Sequence, residues 1–240
     1  MKYLSTRDNS LKKSFNEILY QGLSKDGGLY LPVEWPNIDI HNLENKSYED
    51  VALEIIFPFV KENFSKGELQ NILNESYSTF SHEKKAPVKE LQTNKYILEL
   101  IYGPTYAFKD YALQFLGKLF SYSLIKNPKK ITVLGATSGD TGSAAIHAFK
   151  TNQDINVFIL HPHGKVSPMQ QKQMTTVNEE NIFNIAIEGN FDDCQKIVKT
   201  LFVDDEIQSR TSLTAINSIN WARLIAQVVY YFWSHLQIKN

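Results

Sequence analysis

Past residue 87 the apolar pattern of this 240-residue chain switches repeatedly between two periods, and that switching limits the possible folds more than any other feature. Short apolar runs at 96–101, 131–134, 155–160 and 182–187 have the length and composition of strands. Between and after them, apolar residues recur at helical spacing over 109–125, 141–149, 168–175 and 192–202. Strand–helix alternation calls for crossover connections, so it predicts an α/β layer on a parallel sheet. Ligands of such sheets bind beyond the carboxyl ends of the strands. The loops after 101 and after 134 are both expected to emerge there.

The first part of the chain reads differently. Residues 14–23 place Phe15, Ile18, Leu19 and Leu23 on one helical face that ends at Gly22. Asp26-Gly27-Gly28-Leu29-Tyr30-Leu31-Pro32 is a tight turn leading into a short extended segment. Ser47 opens a helix with Tyr48, Val51, Ala52, Ile55, Ile56 and Phe59 on one side, and Pro58 is expected to interrupt it. A second helix over 67–80 carries Leu69, Ile72, Leu73 and Tyr77. Residues 81–87 are polar and charged. The expected organisation is a small, mainly helical N-terminal domain over 1–85 and an α/β domain over 86–240.

Charge excludes some partners. Lys and Arg number 25 against 26 Asp and Glu, a net charge of -1, which leaves no electrostatic footprint for nucleic acid or an anionic membrane. No apolar run approaches a membrane span, and Lys2, Arg7 and Asp8 bring charge too early for a secretory signal, so the cytoplasm is the expected compartment. The one cysteine, Cys194, allows no internal disulfide, and with no activating group evident nearby it reads as a small buried apolar residue.

Several polar stretches stand out against this frame. In Gly103-Pro104-Thr105-Tyr106-Ala107-Phe108-Lys109-Asp110, an apolar run meets residues that cannot continue a strand, and a helix begins at Lys109. A cation is unfavourable at a helix start, where exposed amides and the macrodipole favour negative charge. Lys109 is then either a snorkelling side chain covering Tyr106 and Phe108 or an amine nucleophile, which proteins make by desolvating a lysine. Gly135-Ala136-Thr137-Ser138-Gly139-Asp140-Thr141-Gly142-Ser143 joins a strand to a helix through glycines and hydroxyls. Convergent N–H and O–H groups there suit a carboxylate or phosphate, although Asp140 or Thr141 acting as an N-cap explains the same residues. The spacing fits neither a P-loop nor a dinucleotide fingerprint. His161 and His163 lie in a Pro- and Gly-containing turn with no third ligand placed, so no metal is expected. Finally, Ala215-Ile216-Asn217-Ser218-Ile219-Asn220-Trp221-Ala222-Arg223 runs from a polar loop into a strongly apolar helix. Arg223 at that helix start is either an exposed cation beside a core helix or an anion ligand.

Taken together these stretches resemble the threonine synthases, a family of fold-type II pyridoxal-phosphate enzymes. The similarity lies in G-P-T-x-A-F-K-D at 103–110, T-S-G-D-T-G at 137–142, N-S-x-N-x-x-R at 217–223 and the D-G-G-L-Y-x-P turn at 26–32, and it spans essentially the whole chain. It implies a three-layer α/β/α fold with a mostly parallel sheet. It also implies that Lys109 carries pyridoxal 5'-phosphate as a Schiff base with Phe108 beside the ring and Asp140 near the cofactor's 3′-oxygen. Asp140 departs from the asparagine of the wider fold-type II class. By the same similarity Thr137, Ser138 and Thr141 contact substrate, and Asn217, Ser218 and Arg223 grip its phosphate. The implied reaction converts O-phospho-L-homoserine and water to L-threonine and phosphate, in a monomer or homodimer. The alternatives are another fold-type II lyase resembling a serine or threonine dehydratase, and a non-catalytic relative that binds a phosphorylated metabolite. Family members continue beyond a position equivalent to Asn240 with a loop for the cofactor's phosphate, so residues 1–240 are expected to be part of a longer enzyme, with weak cofactor binding and little activity alone.

Overall fold

The computed structural model describes residues 1–10, 12–22, 24–216 and 220–239. Three strands, β1 (Tyr3–Ser5), β2 (Lys12–Lys13) and β3 (Tyr30–Pro32), form a small antiparallel sheet in the order β2-β1-β3. Between β2 and β3 lies α1 (Phe15–Gln21), followed after β3 by α2 (Tyr48–Val60) and α3 (Lys66–Tyr77). Their starts are chemically determined. The hydroxyls of Ser14, Ser47 and Ser65 each accept a first-turn amide, and Glu17 and Glu68 close reciprocal capping boxes onto Ser14 and Ser65.

Pro58 does not interrupt α2, contrary to expectation: the helix runs on to Val60. The proline sits in the last turn, where its missing N–H forfeits a single intrahelical bond, and burial of Phe59 and Val60 offsets that loss.

A second correction concerns residues 96–101. They do not supply a strand of the parallel sheet. Instead β5 (Lys95–Leu98) pairs antiparallel with β4 (Val88–Gln92) in a two-stranded hairpin. Asn94, at φ 60, takes the left-handed conformation that closes the tight connection. The turn leading to Lys109 consequently leaves this hairpin and not a carboxyl end of the main sheet.

That main sheet is wholly parallel, in the order β8-β7-β6-β9, built from β6 (Ile131–Ala136), β7 (Ile155–Pro162), β8 (Ile182–Ile187) and β9 (Leu213–Ala215). Its helices are α4 (Lys109–Lys126), α5 (Asp140–Phe149), α6 (Pro168–Thr175), α7 (Phe191–Val203), α8 (Asp205–Arg210) and α9 (Trp221–Lys239). Alternation along β7 separates two faces. Ile155, Val157 and Ile159 join the large core with α4, α5 and α9, whereas Leu160 packs with Leu134 and Cys194 under α7. Helix, sheet and helix thus make three layers of an α/β fold. The short β1, β2, β9 and α8 were not expected from periodicity.

The large core runs without a break from Tyr3 to Leu236. Tyr48 makes edge contacts with Tyr77, Tyr111 and Trp233, joining α2, α3, α4 and α9 through one aromatic cluster. Buried aromatics and aliphatics of this size are worth about 1.5–3 kcal/mol each. The helices of 1–85 therefore act as a rigid wall behind α4, the helix that Lys109 begins.

Candidate active site

Lys109 is the first residue of α4, and Phe108 before it offers no side-chain cap. The fully buried Asp110, second in the helix, instead ties down the loop that precedes it. Its Oδ2 accepts the Thr105 amide at 2.8 Å and its Oδ1 accepts the Thr105 hydroxyl at 2.7 Å. Burial pushes the Asp110 carboxyl up, and the hydrogen bonds from Thr105, Ala107 and Gln114 oppose that rise. Gly103 is required beside it, since a Cβ there would come within 2.4 Å of the Asp110 Cβ. The turn so fixed holds Tyr106 at φ 60 with its ring 73% exposed. A bulky residue with that φ is strained backbone next to the lysine.

The second loop leaves the carboxyl end of β6. Thr137 is buried, and its hydroxyl oxygen accepts the amides of Gly139 at 3.0 Å and Gly142 at 2.9 Å. Gly139, the N-cap of α5, has φ 151, which is open to glycine alone. Neither Asp140 nor Thr141 caps the helix; Thr137 does so from below, leaving the Asp140 carboxylate to project from the first turn of α5.

The two loops meet there. Lys109 Nζ donates to Asp140 Oδ2 at 2.7 Å and sits 4.2 Å from the centre of the Phe108 ring. The side chains are 19% and 38% exposed, so the pair contributes at most about 1 kcal/mol to stability. Its interest is geometric: an amine and a carboxylate are held together by two helix starts on separate turns.

Arg223 completes the cluster. It lies in the first turn of α9 and is buried to 2% exposure. Burial pushes its guanidinium down to about 10, opposed by the Asp140 carboxylate and by Tyr230. Asn220 sets the start of α9: its Oδ1 accepts the Ala222 amide at 2.9 Å, and its Nδ2 donates to the Leu19 carbonyl of α1 at 2.9 Å.

Of the residues singled out in the sequence, Lys109, Phe108 and Asp140 are in direct contact and Arg223 is within electrostatic reach. Ser138 is exposed at the loop tip, Thr141 is half-buried beside Asp140, and Thr137 braces the loop from within. Asn217 and Ser218 lie outside the described residues. His161 is buried on β7, and His163 pairs with Glu188 at 2.7 Å. Among the described residues no three His, Cys, Asp or Glu side chains group as metal ligands. Nor is any helix among them long and apolar enough to cross a membrane. Asp110, Thr105 and Asn220 were missed by sequence reasoning. Asn220 had a signal, an asparagine immediately before an apolar helix, whereas Asp110 looks like any acidic residue in a first turn.

Residues 2–77 match the family model described as threonine synthase N terminus. Threonine synthase from Pseudomonas aeruginosa is 45% identical over 99% of this chain and 51% of its own length. The Saccharomyces cerevisiae threonine synthase is 46% identical over 99% of this chain and 50% of its own. Among solved structures, pyridoxal-phosphate-bound threonine synthase from Brucella melitensis superposes with a TM-score of 0.94 at 45% identity, covering 99% of this chain and 52% of that one. The Escherichia coli enzyme gives 0.87 at 35% identity, over 99% and 54%. The chain spans about half the length of these relatives. In sequence and in fold alike the chain matches the N-terminal portion of threonine synthases.

Proposed function

We propose that this chain carries the lysine-bearing half of a threonine synthase site, which converts O-phospho-L-homoserine and water to L-threonine and phosphate. The observation that supports this reading best is the 2.7 Å approach of Lys109 Nζ to Asp140, with buried Arg223 in reach of the same carboxylate. The residues fit pyridoxal 5'-phosphate: a partly buried amine to hold it, an aromatic ring beside that amine, and a carboxylate that favours a cation at the nitrogen. Once bound, the cofactor supplies an electron sink for carbanions of the substrate.

The chain's own residues divide the remaining work. Lys109, displaced when substrate binds, removes and returns protons at the substrate's carbon atoms. Arg223, with Asn217 and Ser218, grips the substrate phosphate and steadies it as it leaves the γ carbon, before water adds at the β carbon. Ser138 and Thr141 at the positive start of α5 take the substrate carboxylate, while Thr137 holds that loop in shape. Residues 1–85 buttress a chemistry-bearing unit at 86–240. The protein works in the cytoplasm as a monomer or homodimer.

Borohydride reduction of the intact, cofactor-saturated protein followed by peptide mapping tests the assignment. A pyridoxyl group on Lys109, together with phosphate release from O-phospho-L-homoserine and none of the deamination of serine or threonine that a dehydratase would show, is the expected result. An unlabelled Lys109 would overturn it.

A further inference from the structure

Helix α6 takes no part in the chemistry just described, yet it touches both turns that make the site. Gln173 Nε2 donates to the Thr105 carbonyl at 3.1 Å, in the turn that ends at Lys109. One helical turn earlier on the same face, Gln170 packs against Gly139: a Cβ there would lie 2.2 Å from the Gln170 Oε1. Met174 is fully buried against Gly142, in the first turn of α5. The helix is itself pinned at both ends. Ser167 caps it and donates to Gln170 Oε1 at 2.9 Å, and Asn184 of β8 donates to the Met174 carbonyl at 2.9 Å.

We propose that Gln173 is a positioning residue that fixes the Lys109 turn to the Asp140 loop through α6, so that the amine and the carboxylate stay in register. The Lys109 turn grows from a two-stranded hairpin and the Asp140 loop from the parallel sheet; α4 and α5 pack directly, with Gly117 against Ala148 and Gln114 Nε2 donating to the Ala144 carbonyl at 3.4 Å, but those contacts lie a turn or more inside the helices, and Gln173 is the tie to the turn itself. Asp110 makes the lysine turn rigid internally, and Thr137 does the same for the loop. Gln173 is the hydrogen bond that ties one rigid piece to α6, and Gln170 with Met174 seats α6 on the other. Without its Nε2 donor the Thr105 carbonyl loses this partner, and the approach of the turn to Asp140 rests on the α4–α5 contacts alone.

This proposal rests on Lys109 holding the cofactor, and its test separates the two ideas. The visible absorption of the lysine-bound cofactor is titrated with pH in the intact holoprotein, for wild type, Gln173→Met, Gln173→Ala and the control Gln171→Met on the exposed side of α6. A carboxylate close to the protonated nitrogen raises the midpoint, so both Gln173 variants are expected to titrate about one unit lower. The control keeps the wild-type midpoint. A purely structural role would lower the melting temperature and leave the midpoint in place, and that outcome in either folded Gln173 variant overturns the proposal. Absence of a lysine-linked band in the wild type would remove the functional reading and this proposal with it. An unshifted midpoint removes this proposal alone.

Discussion

Asp110 accepts both polar hydrogens of Thr105, the amide at 2.8 Å and the hydroxyl at 2.7 Å, in a place with no solvent access. Replacing Asp110 with alanine leaves two buried donors without an acceptor, each costing about 1–3 kcal/mol. Asp110→Ala should therefore lose about twice the stability that Asp110→Asn loses, since Asn keeps one acceptor oxygen. Urea denaturation of the two variants side by side checks the order. Equal losses would mean that the carboxylate is not the keystone of the turn.

Tyr106 gives an effect of opposite sign. Its left-handed backbone costs about 1–2 kcal/mol, and glycine would remove that cost at about 0.4–1 kcal/mol of added unfolded-state entropy. Because the ring is 73% exposed, little packing is lost. Tyr106→Gly is expected to stabilise the fold by up to about 1 kcal/mol, seen as a small rise in melting temperature. A fall would show that the exposed ring makes contacts worth more than the strain.

Those two residues also show where a sequence is readable and where it is not. The start of α2 was legible because a serine side chain satisfying a helix's own first amides is a local arrangement, written within four residues; the same caps at Ser14, Ser65 and Ser167 were equally local but were not read. The alternation that makes β6, β7 and β8 parallel was legible for the same reason: crossover helices lie between them in the chain. What could not be read is which segments pair. Residues 96–101 have the composition of a sheet strand, and only the neighbouring Val88–Gln92 segment decides that they form a hairpin. At the site, the glycine-rich loop and the lysine turn announced themselves, but their 2.7 Å contact joins residues remote in sequence, and Gln173 reaches Thr105 from another helix. Periodicity has no access to such pairings.

Acid should loosen the N-terminal helices first. Hydrogen bonds from the Ser14 and Ser65 backbone amides, then Lys13 and Lys126 and the serine hydroxyls, hold Glu17 and Glu68 at about 2 against an ordinary 4.5. A carboxyl lowered on folding contributes stability that is complete above 4.5 and disappears as pH falls toward 2. Both groups are solvent-accessible, so solvent screening keeps the effect modest. Glu17→Gln and Glu68→Gln together should flatten the decline in denaturation midpoint between pH 5 and pH 3, by circular dichroism at about 222 nm, the helix band reporting α-helical order. An unchanged slope would assign the acid sensitivity elsewhere.

Arg223 carries the last prediction. A guanidinium at 2% exposure, pushed down to about 10 by burial, keeps its charge in reach of the Asp140 carboxylate. If it also grips the substrate's phosphate, as proposed, inorganic phosphate should bind the same place and stabilise the folded protein by about 2.7 kcal/mol at one hundred times its Kd. Arg223→Met, close in length and apolar, should abolish the phosphate-dependent rise in melting temperature. On the proposed reading the arginine acts on the phosphate and not on the amine, so in the intact enzyme Arg223→Met should also raise KM for O-phospho-L-homoserine far more than it reduces borohydride labelling of Lys109. Phosphate stabilisation that survives Arg223→Met would place the anion site elsewhere and remove Arg223 from the substrate's path.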